Sequence, residues 1–153
     1  MSDYLYAIIP YKKKGTFVPD EGEVYISYPK IPELKGVKSK LAERDGLLLF
    51  PEFLMINTCY RQSSFVEWED GYSWLRAEVY KIAKALGANE VWYAAELATD
   101  EMYSKRFSFR KLLESFKTGE RYVCELCVDV LKDKYISTYY HDDFADIILK
   151  RPT

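Results

Sequence analysis

The segment from Tyr72 to Ala95 constrains the fold more than any other. Leu75, Val79, Ile82, Ala83 and Leu86 recur at positions i, i+4, i+7, i+8 and i+11, which places them on one face of a helix. Arg76, Glu78, Lys81 and Lys84 fall mostly on the opposite, polar face. Asp70 or Ser73 can cap the start, and Gly87 is placed to end the helix in the left-handed conformation. Shortly after it comes Val91-Trp92-Tyr93-Ala94-Ala95. A short apolar run led by strand-forming residues predicts a strand buried on both faces. All three tryptophans, Trp68, Trp74 and Trp92, lie in or beside this unit, so it predicts the centre of the core.

The segments before it read as short strands. Tyr4 to Ile9 is a strand stopped by Pro10, and Glu23 to Tyr28 is a second. Five of the six prolines lie within the first 51 residues, which argues against long helices there. Lys35 to Arg44 has the makings of one or two helical turns, but Gly36 interrupts it. Leu47 to Phe50 and Phe53 to Ile56 are apolar runs parted by Pro51-Glu52, either one bent strand or two short ones. Phe65 to Trp68 is a further strand candidate.

Beyond Ala95, Thr99-Asp100-Glu101 has the character of a helix start. Phe109, Leu112, Leu113 and Phe116 supply an apolar stripe and Gly119 a stop. Arg121 to Lys132 alternates, with Tyr122, Cys124, Leu126, Val128 and Val130 on one face and Arg121, Glu125 and Asp129 on the other, the pattern of a strand with one buried side. Tyr135 to Tyr140 is expected to pair back on it as a hairpin, and Phe144 to Leu149 to close the chain as a strand. This order predicts an α+β fold: a mainly antiparallel sheet with two principal helices, about 72–86 and 100–117, packed on it. Residues 1–153 are expected to form a single globular domain, since this length buries enough surface to need no metal or disulfide.

Charge narrows the classes of function. The chain carries 22 basic and 24 acidic groups, and a general nucleic-acid binder would instead be strongly basic. The acidic excess is concentrated: residues 41–104 hold 5 basic and 11 acidic groups, a net of −6. Such a region attracts a basic partner. No stretch approaches the length of a membrane span. The apolar run at Tyr4 to Ile9 is preceded by Asp3 and followed by Lys12-Lys13-Lys14, the reverse of a secretory signal. Three cysteines without framework spacing point to reduced thiols and a cytoplasmic setting.

The chemistry-bearing residues are few. His141 is the only imidazole, flanked by Asp142 and Asp143 and followed by Asp146, so any histidine-dependent catalysis must run through it. A thiol nucleophile would need Cys59 or Cys127 brought to it by the fold. Cys124 and Cys127 form a CxxC, but on a strand they point to opposite faces and cannot share a metal or a disulfide; the expectation is a core cysteine and no metal site. There is no Gly-rich phosphate loop, and no cofactor is expected. Glu67, Glu69 and Asp70, and separately Glu96, Asp100 and Glu101, are carboxylate clusters without a diagnostic flank. Arg106 and Arg110 stack at i, i+4 with Phe107 and Phe109 interleaved, a pattern able to hold phosphate or stack on single strands, which the overall negative charge opposes.

Fourteen tyrosines exceed what a core alone requires, and tyrosine is enriched in protein interfaces. These observations favour a non-catalytic interaction protein, of the inhibitor or immunity type, that binds another, basic protein through an acidic and aromatic face. Glu96, Asp100, Glu101, Trp92 and Tyr103 are the candidate binding residues. The alternative is a hydrolase-like enzyme using His141 with nearby aspartates or cysteines.

Overall fold

A computed structural model of the chain describes residues 4–12, 26–27, 29–42, 46–50, 52–61, 73–95, 125–132, 135–141 and 147–150. Eight strands and one α-helix are defined among them. The strands are β1 (Tyr4–Pro10), β2 (Ile26–Ser27), β3 (Leu47–Leu49), β4 (Phe53–Arg61), β5 (Glu90–Ala95), β6 (Glu125–Val130), β7 (Ile136–His141) and β8 (Ile147–Lys150); the helix α1 is Ser73–Ala85. They form one sheet in the order β2-β3-β4-β1-β5-β6-β7-β8, and every neighbouring pair is antiparallel. The fold is therefore a mainly antiparallel sheet with one helix among the described residues. The second expected helix, about 100–117, lies outside them, as does the strand expected at Phe65 to Trp68.

The helix forms where its apolar spacing predicts. Leu75, Val79, Ile82 and Ala83 are fully buried against Leu5, Ala7 and Ile9 of β1, Leu54 and Ile56 of β4, and Val91 and Tyr93 of β5. Burial of each large aliphatic side chain contributes roughly 1.5–3 kcal/mol. Gly87 has φ +74° and ends α1: its N–H donates to the Lys84 carbonyl, and the Ala88 N–H reaches back to that of Ala83. These two bonds satisfy carbonyls left open by the end of the helix.

Both faces of the central strands are buried. Beneath α1, Ile56, Ala7, Tyr93 and Cys127 stand in one cross-strand row; on the other face, Met55, Ile8, Trp92 and Val128 form the next, and all eight are buried. This bears out the two-sided burial expected of the Val91 run. The two apolar runs around Pro51-Glu52 are separate antiparallel strands, β3 and β4, and β7 returns on β6 as a hairpin.

The Lys35 to Arg44 segment is not helical where it is described. A 3₁₀ turn spans Pro32–Leu34, and Gly36 at φ +85° turns the chain out of it. That segment instead braces α1 from the side. Ser39 Oγ donates to the Glu78 carbonyl at 3.3 Å, and the Lys40 N–H to Glu78 Oε2 at 3.3 Å. Lys81 Nζ is 2.9 Å from Glu78 Oε1, and this bond, with the others, lowers the Glu78 pKa against its partial desolvation.

Candidate functional site

The described residues bring polar side chains together most densely under the first turn of α1. Arg76 sits one position after Leu75 and three before Val79, so it shares the buried stripe rather than the polar face expected of it. It is 5 % exposed. Asp129 lies in β6, in register with Val91 of β5 and Ser137 of β7, on the face that α1 covers. The alternation along this strand led to the expectation that Asp129 faces water; it is 0 % exposed. Its burial is made tolerable by Arg76, because a buried charge requires a partner.

The geometry is specific. Arg76 Nε stands 3.2 Å from Asp129 Oδ2, a charge contact outside hydrogen-bond angles. Ser137 Oγ donates to Asp129 Oδ1 at 2.6 Å, and the Cys127 thiol approaches the same oxygen at 3.8 Å. Arg76 Nη2 donates to Cys127 Sγ at 3.5 Å, and its guanidinium carbon lies 5.2 Å from the centre of the Tyr135 ring. Tyr135 in turn donates its hydroxyl to the Ser73 carbonyl at 3.2 Å. The helix start, β6, β7 and Tyr135 just before β7 are thus tied to one guanidinium.

Burial dominates the electrostatics here. Desolvation raises the Asp129 pKa, with Arg76, Ser137 and Cys127 opposing it. Tyr93, packed in the same row as Cys127, is pushed well above its usual value by burial and then by the Asp129 charge. A nucleophile or acid at this position would have to meet substrate inside the core, where Asp129, Ser137 and Cys127 are all 2 % exposed or less. The arrangement suits the docking of a helix on a sheet.

Most of the remaining candidates lie outside the described residues. His141 is the last residue of β7, its backbone paired with Glu125, while Asp142 and Asp143 lie outside the described residues. Glu96, Asp100, Glu101 and Tyr103 lie outside them too, as do Glu67, Glu69, Asp70, Cys124, Arg106 and Arg110. Trp92, offered as a binding residue, is buried in β5 at 3 % exposure. Cys127 is a core cysteine and Cys59 an exposed one. Among the described residues no group of three or more histidine, cysteine, aspartate or glutamate side chains is placed to hold a metal ion, and no helix is long and apolar enough to cross a membrane.

Two surface features complete the description. A shallow depression of about 230 Å³ lies at the end of α1, lined by Tyr80, Lys84, Gly87, Ala88, Asn89 and Leu131. At the other end of the helix, Trp74 is 46 % exposed and meets Tyr60 edge to face, with ring centres 5.1 Å apart and planes at 80°. Tyr60 leaves β4 next to a bulge, where the register with β1 slips between Tyr4 and Tyr6 and Cys59 takes φ +63°. Asn57 Oδ1 accepts the Cys59 N–H at 2.9 Å, and Thr58 Oγ1 donates to the Leu5 carbonyl at 2.7 Å. These bonds fix the bulge and with it the direction of the Tyr60 side.

No protein-family model, curated protein or solved structure matches the chain.

Proposed function

We propose that this chain is a non-catalytic interaction module of the inhibitor or immunity type, which works in the cytoplasm by binding a basic protein. The observation that carries the reading is a contrast in exposure. The polar groups with chemical potential, Arg76 and Asp129, are sealed at 5 % and 0 %, whereas a large aromatic, Trp74, is 46 % exposed. Tryptophan is enriched at protein interfaces, where a partner covers its apolar body. The net charge of −6 over residues 41–104 supports a basic partner, and the free thiols of Cys59 and Cys127 suit a reducing compartment.

The test is charge reversal on a captured partner. Glu96→Lys with Glu101→Lys should weaken the complex, and the difference from the native chain should shrink as salt screens it. Unchanged affinity at low salt would remove the acidic face from the proposal.

A further inference from the structure

We propose that the depression at the end of α1 binds a small organic carboxylate. Lys84 takes the acid group, Tyr80 and Asn89 donate hydrogen bonds to it, and its hydrocarbon body lies on Ala88 and Leu131. This site is separate from the surface that bears Trp74 and needs no protein partner. Tyr80 and Lys84 stand four residues apart on α1, so they are neighbours on one helix face. Gly87 at φ +74° then turns the chain, and a Cβ added to it would meet nothing within 4 Å. The Leu131 N–H donates to the Asn89 carbonyl at 2.9 Å, which ties the end of β6 to that turn.

Backbone bonds therefore frame a hollow of about 230 Å³. It is smaller than the roughly 300–1,000 Å³ of pockets for drug-sized molecules, which restricts it to a small ligand. Ala88 and Leu131 pack against the hydrophobic core while remaining partly accessible, and they supply the apolar wall.

The polar side chains that line the hollow are all donors or cations without an internal partner. Tyr80, Lys84 and Asn89 make no side-chain hydrogen bond or ion pair among the described residues. Tyr80, Lys81, Gly87 and Ala88 occupy the positions three and four residues from Lys84, so the helix offers it no acid. No carboxylate lines the hollow either. The Lys84 and Ala83 carbonyls at the helix end already accept the Gly87 and Ala88 N–H groups, and the Lys84 charge offsets the negative end of the helix dipole. One ammonium balances one negative charge, as a carboxylate carries. Phosphate carries more, and it is held by arginine forks or helix N-termini, neither of which lines this hollow.

The probe is sodium hexanoate, titrated into the ¹⁵N-labelled full chain and followed at the amides of Gly87, Ala88, Asn89 and Leu131. Acetate, hexylamine and inorganic phosphate are titrated in parallel. Hexanoate should shift these amides saturably and hexylamine should leave them unmoved. Acetate should bind about fivefold or more weakly, because only the longer acid covers the apolar wall. Lys84→Gln should weaken hexanoate binding about fivefold, Lys84→Arg should retain it, and Lys35→Gln, outside the hollow, should change nothing. Lys84 is exposed, so the glutamine variant should fold; should it not, the ligand series on the native chain carries the comparison. Absence of a saturable shift at these amides would overturn the assignment. So would equal binding of acetate, hexylamine or phosphate, or unchanged affinity in a folded Lys84→Gln variant.

Discussion

Arg76 Nε lies 3.2 Å from Asp129 Oδ2, joining the first turn of α1 to β6 with neither residue more than 5 % exposed. The carboxylate takes a second bond from Ser137 and the guanidinium rests beside the Tyr135 ring. The pair fixes how the helix sits on the sheet, and therefore where Trp74 stands at the surface.

Removing either partner should be costly. Burial raises the Asp129 pKa even with Arg76 beside it, so the carboxylate's desolvation exceeds what its partners return. Arg76→Met leaves that carboxylate without a cation and should cost about 3–5 kcal/mol. Asp129→Asn keeps an acceptor for Ser137 but leaves the buried Arg76 guanidinium without its counter-charge, and should cost a similar amount. The double change Arg76→Met with Asp129→Leu should recover most of the loss. Urea unfolding of the four proteins measures the cycle.

The same imbalance fixes the sign of a pH effect. Asp129 has a folded pKa above its ordinary 3.8, so the folded state holds the proton more tightly than the unfolded one. Its contribution to stability is fully present below pH 3.8 and is lost as pH rises through the folded pKa. The stability of the native chain relative to Asp129→Asn should therefore improve on acidification toward pH 3.8 and level off below it. Chemical unfolding of both proteins across that range provides the measurement.

Gly87 and Cys59 test backbone conformation in opposite directions. Gly87→Ala meets no atom within 4 Å, so its cost is that of φ +74° alone, about 1–2 kcal/mol. Cys59→Gly places the permissive residue at φ +63° and should stabilise by about 1 kcal/mol. Thermal unfolding should move the midpoints apart, the first down and the second up.

The Tyr11 hydroxyl donates to Glu33 at 2.8 Å, and burial followed by this bond raises its pKa from 10.0 to about 12. Its contribution is fully present below pH 10 and lost as pH rises through about 12. Alkaline unfolding of Tyr11→Phe should lack that component when compared with the native chain.

Periodicity made α1 and the apolar strands legible because their apolar positions repeat at 3.6 or 2 residues. The sheet order was not legible: β1 lies between β4 and β5 through contacts far apart in sequence, which no local pattern records. Arg76 and Asp129 were misplaced for one shared reason. Each is charged, and charge ordinarily marks a position facing solvent, yet Arg76 at i−3 from Val79 falls on the apolar stripe. The useful signal was a cation on a buried helix face with an acid amid a strand buried on both sides. Trp74 was counted with the core by its neighbours, although helical spacing sets it outside the Leu75–Val79–Ile82 stripe.

On the proposed function, the Arg76–Asp129 cluster is a scaffold and recognition happens outside it, on the surface that bears Trp74. Capture from a lysate of the source organism at moderate salt, using the native chain, Trp74→Ala, and Arg76→Met with Asp129→Leu, tests this most directly. One stoichiometric basic partner should be captured, retained by the folded double variant and depleted by Trp74→Ala. Loss of the partner by the folded double variant, with full capture by Trp74→Ala, would contradict it and return the function to the buried cluster.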